Sequence, residues 1–261
     1  MLGPTPPALS DRIAMPESPP ARAVTRVSVV GRGRLGAVLA PALARAGYTV
    51  YGPTGRGDEI ADADIAMLCV PDRQIRDAAA AASARARVVG HTSGATGLDD
   101  VDFGLHPLQT FAGGEEPDVF EGIGAAIGGR TLEARALARD LAAALGMHPF
   151  EIADGDRALY HAAAAFASNF LVTLEDVAER VLTSAAPGSD ARALLAPLVR
   201  RTVENWAASG ATSALTGPVA RGDHATVAAQ RTALAAELPD LVPLFDVLVA
   251  HTGTLAERSH R

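Results

Sequence analysis

The segment "VSVVGRGRLGAVLA" (Val27–Ala40) carries the strongest indication of the fold. An apolar strand runs into three glycines spaced as G-x-G-x-x-G, and a helix begins among them. The first glycine of this pattern permits a tight turn, the second lets a pyrophosphate approach the backbone, and the third lets helix and strand pack closely. An ordinary glycine-rich turn is the alternative. The residues predicted to bind a dinucleotide here are Gly31, Arg32, Gly33, Arg34, Leu35 and Gly36.

Outward from this turn, apolar runs typical of strands alternate with helical segments as far as residue 152. This alternation predicts an α/β Rossmann-type doubly wound sheet, mostly parallel. After "ADGD" (Ala153–Asp156) only helical patterns remain, and residues 157–182 are predicted to form one long helix. We therefore expect an all-helical C-terminal domain. The predicted domains are a disordered tail over 1–22, a dinucleotide-binding domain over 23–152 and a helical substrate and dimerisation domain over 153–261.

The amino-acid composition excludes several classes of partner and of catalytic chemistry. The formal charge is −7 with no basic tract, so neither nucleic acid nor a membrane surface is expected as a partner. No apolar run reaches the ~18 residues of a membrane span, and no secretion signal is recognisable, so a cytoplasmic protein is expected. All 23 Lys+Arg residues are arginine, which excludes a lysine Schiff base or a lysine acid. The seven histidines and Cys69 show no metal-binding spacing.

The second strand bears on the choice of coenzyme. NAD-binding proteins hold the adenosine ribose with a carboxylate at the end of this strand, but "YTVYGPTGRG" (Tyr48–Gly57) has none. A carboxylate would repel the 2′-phosphate of NADP, whereas Arg56 offers that phosphate a bidentate partner and Thr54 a further donor. Arg32 adds charge nearby. The sequence therefore predicts NADP as the cofactor, with a solvated Arg56 as the alternative.

Polar residues also end three later strands, where a doubly wound sheet places its ligands. "CVPD" (Cys69–Asp72) is expected beside the cofactor, through Val70 and Pro71.

The other two ends carry histidines, in "HTSG" (His91–Gly94) and "LHPLQTF" (Leu105–Phe111). Either His91 or His106 can exchange a proton near neutral pH as a hydride is transferred. A structural role is the alternative for each.

The predicted long helix adds two candidates. His161 and Asn169 would lie ~80° apart around a continuous helix and ~12 Å apart along its axis. They would then line one wall of a cleft without acting on the same atom. Polar residues facing solvent or another helix are the alternative.

Together these stretches resemble a known family. "VVGRGRLG", "VPD", "HTSGATG", "LHPLQTF", "ALYHAAAAFASNFL" and "LTGPVARGD" occur in this order in bacterial Rossmann-like proteins with a C-terminal helical domain of unknown function. That family is similar to the ketopantoate reductase, pyrroline-5-carboxylate reductase and 6-phosphogluconate dehydrogenase group. The resemblance covers roughly residues 24–257. It implies NADP(H), a helical dimerisation domain like that of 6-phosphogluconate dehydrogenase, and redox chemistry on a small metabolite in the interdomain cleft.

Two departures qualify the resemblance. Dehydrogenase relatives use Lys-x-x-x-Asn on a helix, but aligning the asparagine with Asn169 places Ala165 at the lysine position. Prephenate dehydrogenases instead use a histidine in a His-Pro motif, and His106 followed by Pro107 is similar. This similarity favours His106 as the proton-exchanging group, with Ser93 nearby. The short link between the second and third strands also leaves little room for the usual additional helix and strand.

The leading hypothesis is an NADP-dependent oxidoreductase acting on a small, acidic metabolite. The residues predicted to serve catalysis and substrate positioning are His106, Ser93, His161 and Asn169. Long alanine-rich helices favour a homodimer. Because the usual lysine is missing, a non-catalytic NADP(H) sensor or regulatory protein remains the alternative, and a helical scaffold with a vestigial nucleotide fold is a third.

Overall fold

The computed structural model of the chain describes residues 25–259, so the predicted tail over 1–22 lies outside the described residues. The described chain divides into two compact units between His161 and Ala162. The sequence had placed this division nine residues earlier, at 152/153.

The first unit is built on a seven-stranded sheet. Its strands are β1 (Arg26–Val30), β2 (Thr49–Thr54), β3 (Ala63–Leu68), β4 (Ala86–His91), β5 (Phe103–Pro107), β6 (Gly124–Gly129) and β7 (His148–Glu151). They are ordered β2-β1-β3-β4-β5-β6-β7, and every neighbouring pair is parallel except β5 and β6. The predicted doubly wound, mostly parallel sheet is confirmed. In the described chain no helix or further strand separates β2 from β3, as the short link predicted.

Helices cover both faces of this sheet. They are α1 (Arg34–Arg45), α2 (Ile75–Ala82) and α3 (Leu132–Ala144). The strands are apolar on both faces because each face buries a core. One core joins α1 and α3 to side chains such as Val29 and Phe103, and the other joins α2 to side chains such as Leu68 and Val89.

The remaining helices extend from the end of the sheet to the C-terminus. They are α4 (Arg157–Ala167), α5 (Asn169–Ala185), α6 (Ala191–Ala214), α7 (His224–Glu237) and α8 (Val242–Ser259). The predicted all-helical C-terminal region is confirmed. The single helix predicted over 157–182 is wrong, because Ser168 leaves the helical conformation with φ −127° and ψ −74° and separates α4 from α5. A second break lies within α6, at Gly210, where φ is +76°.

Across residues 25–259, no helix combines the length and the apolar character that a bilayer crossing requires.

Candidate functional site

The glycine turn joins β1 to α1, and sterics explain two of its glycines. A Cβ atom at Gly31, where φ is +116°, would stand 2.2 Å from the carbonyl oxygen of Cys69. A Cβ at Gly36 would stand 1.9 Å from the carbonyl oxygen of Gly31. No residue with a side chain fits either position without moving the backbone. The turn is therefore fixed by close approach between β1, α1 and the residue that follows β3.

Gly33 differs from the other two. A Cβ there would meet no heavy atom within 4 Å, so the backbone at this position faces open space. Gly33 is the N-cap of α1, no side chain caps this helix end, and its first turn contains no acidic residue. The first N–H groups of a helix have no partner within it and attract anions. This end of α1 fits a bound phosphate group.

The sheet order places this turn at a switch point. The chain runs from β1 to β2 on one side, and β3 lies on the other side of β1. Ligands of doubly wound sheets bind where the strand order reverses in this way. A groove of about 660 Å³ lies here. Its lining includes Gly31, Arg32, Gly33, Thr54, Gly55, Arg56, Asp58, Cys69, Val70 and Pro71.

An ion pair that the sequence did not predict lies in this groove. The Arg32 guanidinium donates from Nη2 to the Asp58 carboxylate at 2.7 Å, and the Gly55 N–H donates to the same oxygen at 2.7 Å. The Asp58 N–H donates back to the Gly55 carbonyl, so residues 55–58 form a tight turn with Gly57 at φ +85°. The acid sought at the end of β2 is thus present four residues later and is folded back beside the glycine turn.

The predicted phosphate-binding residues occupy different positions in the groove. Arg56 is exposed on the same turn as Asp58. Thr54 is half-buried, and its hydroxyl donates to the Val29 carbonyl at 3.5 Å. Arg34 is exposed in the first turn of α1, and Leu35 packs against the core. Of these residues, Arg56 has the side chain best placed to meet a ligand.

Beside the turn, the residues after β3 close the groove. Burial raises the pKa of the Cys69 thiol to about 12, so this group is protonated and unreactive at neutral pH. Val70 lies against the glycine turn, its Cγ1 atom 3.2 Å from the Cβ position of Gly31.

A second polar cluster lies at the end of β5. His106 Nδ1 and the Tyr160 hydroxyl are 2.6 Å apart, and the two rings meet edge to face with centroids 5.6 Å apart. The other side of the imidazole lies over Gly94, whose Cβ position is 3.1 Å from Nε2. Burial, followed by the charges of His161 and Arg157, lowers the pKa of His106 to about 4. The imidazole is therefore neutral at physiological pH, with Nδ1 engaged and Nε2 at the glycine side.

The second histidine candidate has a different environment. His91 is fully buried, its Nε2 lies 3.0 Å from the Gly97 carbonyl, and its Nδ1 accepts from the Ser93 N–H at 3.2 Å. With both nitrogens engaged, it holds the 91–97 loop in place. The Ser93 hydroxyl also serves this loop, accepting from the Ala95 and Thr96 N–H groups at 3.2 and 2.9 Å.

The helical candidates separate at the break between α4 and α5. His161 is exposed on α4 in the first unit, where its charge acts on His106. Asn169 begins α5 in the second unit and is also exposed. Their predicted spacing assumed one continuous helix, which Ser168 interrupts. Among the described residues, no three His, Cys, Asp or Glu side chains converge as a metal ion would require.

Asp58, Tyr160 and Gly94 complete the two clusters, although the sequence did not predict any of the three as a site residue. Tyr160 precedes His161 and was visible as a polar residue at the start of the helix. The sequence had nothing to pair it with His106, 54 residues away.

The fold and these two clusters define a Rossmann-like protein with a helical C-terminal part. Residues 123–252 match the family model of the domain of unknown function DUF2520, which starts just before β6 and continues into α8. The predicted resemblance to Rossmann-like proteins with a C-terminal domain of unknown function is confirmed. No protein of curated function matches the chain.

Solved structures support the same fold. Protein TM1727 from Thermotoga maritima is 22% identical with a TM-score of 0.74, covering 90% of this chain and 100% of its own. The proposed NADP oxidoreductase BF3122 from Bacteroides fragilis is 21% identical with a TM-score of 0.72, covering 88% and 98%.

Pyrroline carboxylate reductase from Plasmodium falciparum, solved with NADP bound, is 11% identical with a TM-score of 0.53, covering 89% of this chain and 98% of its own. At these identities the likeness establishes a shared fold, one that oxidoreductases use.

Proposed function

We propose that this chain is an oxidoreductase that uses a nicotinamide dinucleotide. The observation that carries the proposal is the open backbone at Gly33, at the uncapped N-terminus of α1 and at the switch point of the sheet. Gly31, Gly33 and Gly36 supply the turn, and Val70 and Pro71 form the neighbouring wall. When bound, the dinucleotide supplies a hydride carrier.

The preferred coenzyme in this proposal is NADP. Arg56 is exposed at the groove and carries a full positive charge, which a 2′-phosphate would meet. Asp58 opposes this preference, but its charge is offset by Arg32 at 2.7 Å. Because Arg32 balances the charge of Asp58, the positive charge of Arg56 remains as the net charge of the three side chains.

Preference for NAD is the second candidate, and Asp58 is the observation that favours it. Its carboxylate lies four residues beyond β2, near the strand end at which NAD-binding proteins place the acid that holds the ribose hydroxyls. A comparison of NADPH and NADH affinities decides between the two.

His106 exchanges the substrate proton in this proposal. It lies near the end of β5, at the same edge of the sheet as the glycine turn, and β5 is three strands away from β1. The Tyr160 hydroxyl engages Nδ1, which fixes the ring and leaves Nε2 for a substrate oxygen. The substrate is a small, acidic metabolite, with His161 and Ser93 of the first unit proposed to contribute to its positioning. The role predicted for Asn169, which lies in the second unit, stays a prediction.

The assembly we propose is a homodimer. Among the described residues of the second unit, the buried apolar side chains are Ala191, Leu241 and Ala256. By contrast, Leu198 and Trp206 of α6 are 64% and 57% exposed. So little burial is unusual for a compact helical unit, and a second copy would cover these side chains. Analytical ultracentrifugation should give twice the chain mass, and Trp206→Glu should shift the protein towards the monomer. A monomeric wild-type chain would contradict the dimer.

The catalytic proposal is tested with a panel of hydroxy acids and oxo acids, following NADPH absorbance. We expect turnover with at least one member, and His106→Asn should reduce kcat by roughly 10²–10⁴-fold while leaving NADPH affinity unchanged. Gln109→Asn, at an exposed position beyond β5, is the control and should behave like the wild type. Tight NADPH binding without turnover would favour the sensor alternative.

A further inference from the structure

Arg157, the first residue of α4, is a buried cation with few partners. It is 3% exposed, and its Nε donates to the Asp154 carboxylate at 2.7 Å. Asp154 itself is about half exposed, so water screens part of its charge. The Nη2 of Arg157 is buried and has no hydrogen-bond partner among residues 25–259. A buried guanidinium with an unpaired nitrogen is costly, so a role beyond packing is expected.

A pair of glycines makes room for this guanidinium. Gly104 of β5 and Gly128 of β6 are register partners. A Cβ atom at either one would stand 2.9 Å from Arg157 Nη2. The positive charge therefore lies directly against the sheet, and side chains at either position would displace it.

His91 and His106 lie on this same face of the sheet. His91 is the register partner of Gly104, and its Cε1 lies 3.3 Å from the Cβ position of that glycine. His106 lies two residues beyond Gly104, and residues two apart in a strand point to the same side. Arg157 therefore lies on the same face as the two imidazoles. Burial is the main cause that lowers the pKa of each, and the charge of Arg157 acts in the same direction.

Other groups also face His106 from the elements around it. Tyr160 and His161 come from α4, Asp72 from the turn after β3, and His91 from β4. His161 acts in the same direction as Arg157, and Asp72 acts against both. Arg157 is the buried and permanently charged member of this set.

We propose that Arg157 is a positioning residue of the site: its guanidinium, held against Gly104 and Gly128, acts on His106 from the same face of the sheet, and the imidazole accepts a proton from a hydroxyl-bearing substrate. This inference rests on the proposed function, in which His106 exchanges the proton. It adds the direction of the chemistry when the single ring proton is placed on Nδ1, towards the Tyr160 hydroxyl, because Nε2 then accepts rather than donates.

The corresponding step is the oxidation of an alcohol. The substrate O–H bond breaks and its proton goes to Nε2 of His106, while Nδ1–H donates to the Tyr160 hydroxyl. An oxidised nicotinamide dinucleotide bound at the glycine turn would supply the two-electron acceptor, so that the C–H bond on the same carbon can break and the carbon–oxygen double bond can form. The imidazolium then loses its proton to water, and Arg157 favours that loss.

The test follows the His106 ring proton by NMR over pH 3.5–8 in the full chain, with the resonance assigned by its loss in His106→Asn. We expect a titration midpoint near 4 in the wild type and little change in Arg157→Lys. Arg157→Met should raise the midpoint by about one pH unit, because a nearby positive charge is lost. Arg139→Met, which removes an exposed arginine of α3, is the control and should leave it unchanged.

Equal midpoints in Arg157→Met and the wild type would overturn the inference. Should the methionine variant not fold, Arg157→Gln carries the same test, because its amide can still donate to Asp154. Turnover separates this inference from the proposed function. If His106→Asn abolishes turnover but Arg157→Met leaves the midpoint unchanged, only the role of Arg157 fails. If the midpoint moves but His106→Asn turns over normally, the influence of Arg157 on His106 stands and the proposed proton exchange by His106 fails.

Discussion

Arg32 and Asp58 form an ion pair across the mouth of the glycine turn, with 2.7 Å between Nη2 and Oδ2. The arginine belongs to the turn itself and the aspartate to the loop after β2. Any dinucleotide whose adenosine end reaches this loop meets both charges, together with the exposed Arg56. The balance among these three side chains is what sets the proposed choice of coenzyme.

Coenzyme preference should respond to these charges in opposite directions. Arg56→Gln should weaken NADPH binding by roughly five- to tenfold and NADH binding by less than about twofold, because an exposed ion pair contributes about 1 kcal/mol. Asp58→Asn should strengthen NADPH relative to NADH. Titration calorimetry with both coenzymes measures this, with Arg73→Gln, which lies outside the groove, as the control. If each substitution changed the NADPH and NADH affinities equally, neither residue would distinguish the 2′-phosphate from the 2′-hydroxyl.

Substitutions at two glycines of the turn should have different effects, one on the stability of the fold and the other on coenzyme binding. Gly36→Ala places a Cβ 1.9 Å from the Gly31 carbonyl oxygen and should cost about 3 kcal/mol or more. Gly33→Ala meets nothing within 4 Å, so the melting temperature should stay close to the wild-type value while NADPH affinity falls at least about tenfold. Thermal unfolding and calorimetry on the two variants provide the comparison. A Gly33→Ala variant that binds normally would place the phosphates elsewhere.

The hydroxyl of Tyr160 should matter for turnover more than for binding. Tyr160→Phe leaves Nδ1 of His106 without its partner at 2.6 Å, so the ring loses its fixed orientation. We expect kcat to fall about tenfold with KM nearly unchanged. Tyr51→Phe, at an exposed position on β2, is the matched control. Kinetics on the best substrate of the panel would contradict this role if both phenylalanine variants matched the wild type.

His106 should also make the fold sensitive to acid. Its pKa is about 4 in the folded protein and near 6.5 when unfolded, so the unfolded chain binds more protons between these values. The contribution of His106 to the free energy of unfolding is complete above about pH 6.5. It decreases by up to about 3 kcal/mol as pH drops towards 4. Because burial also lowers the pKa of His91, His106→Gln should remove only part of this loss. Denaturant unfolding at pH 4.5 and 7 measures the difference, and an unchanged pH dependence in the variant would rule out His106 as its source.

Much of the fold was readable from the sequence. The strands around the glycine turn were visible because parallel strands covered on both faces are almost continuously apolar, as in Ile65–Leu68 of β3. The glycine spacing located the turn. The break at Ser168 was not readable, because no proline or glycine marks it and the flanking residues favour a helix on both sides.

The candidate site was predictable only where its residues follow strands. His106 and the glycines met that condition. Asp58 did not, because it lies beyond the strand end and only a four-residue turn brings it back to Arg32. Arg157 had no local pattern at all, since its importance comes from Gly104 and Gly128, which lie far away in the sequence.

In the proposed function, the open backbone at Gly33 binds the phosphates of a nicotinamide dinucleotide. Isothermal titration calorimetry of the full chain with NADPH, and separately with NADH, measures this binding. We predict saturable heat with one site per chain for at least one of them, and tighter binding of NADPH. No heat with either nucleotide would contradict the account.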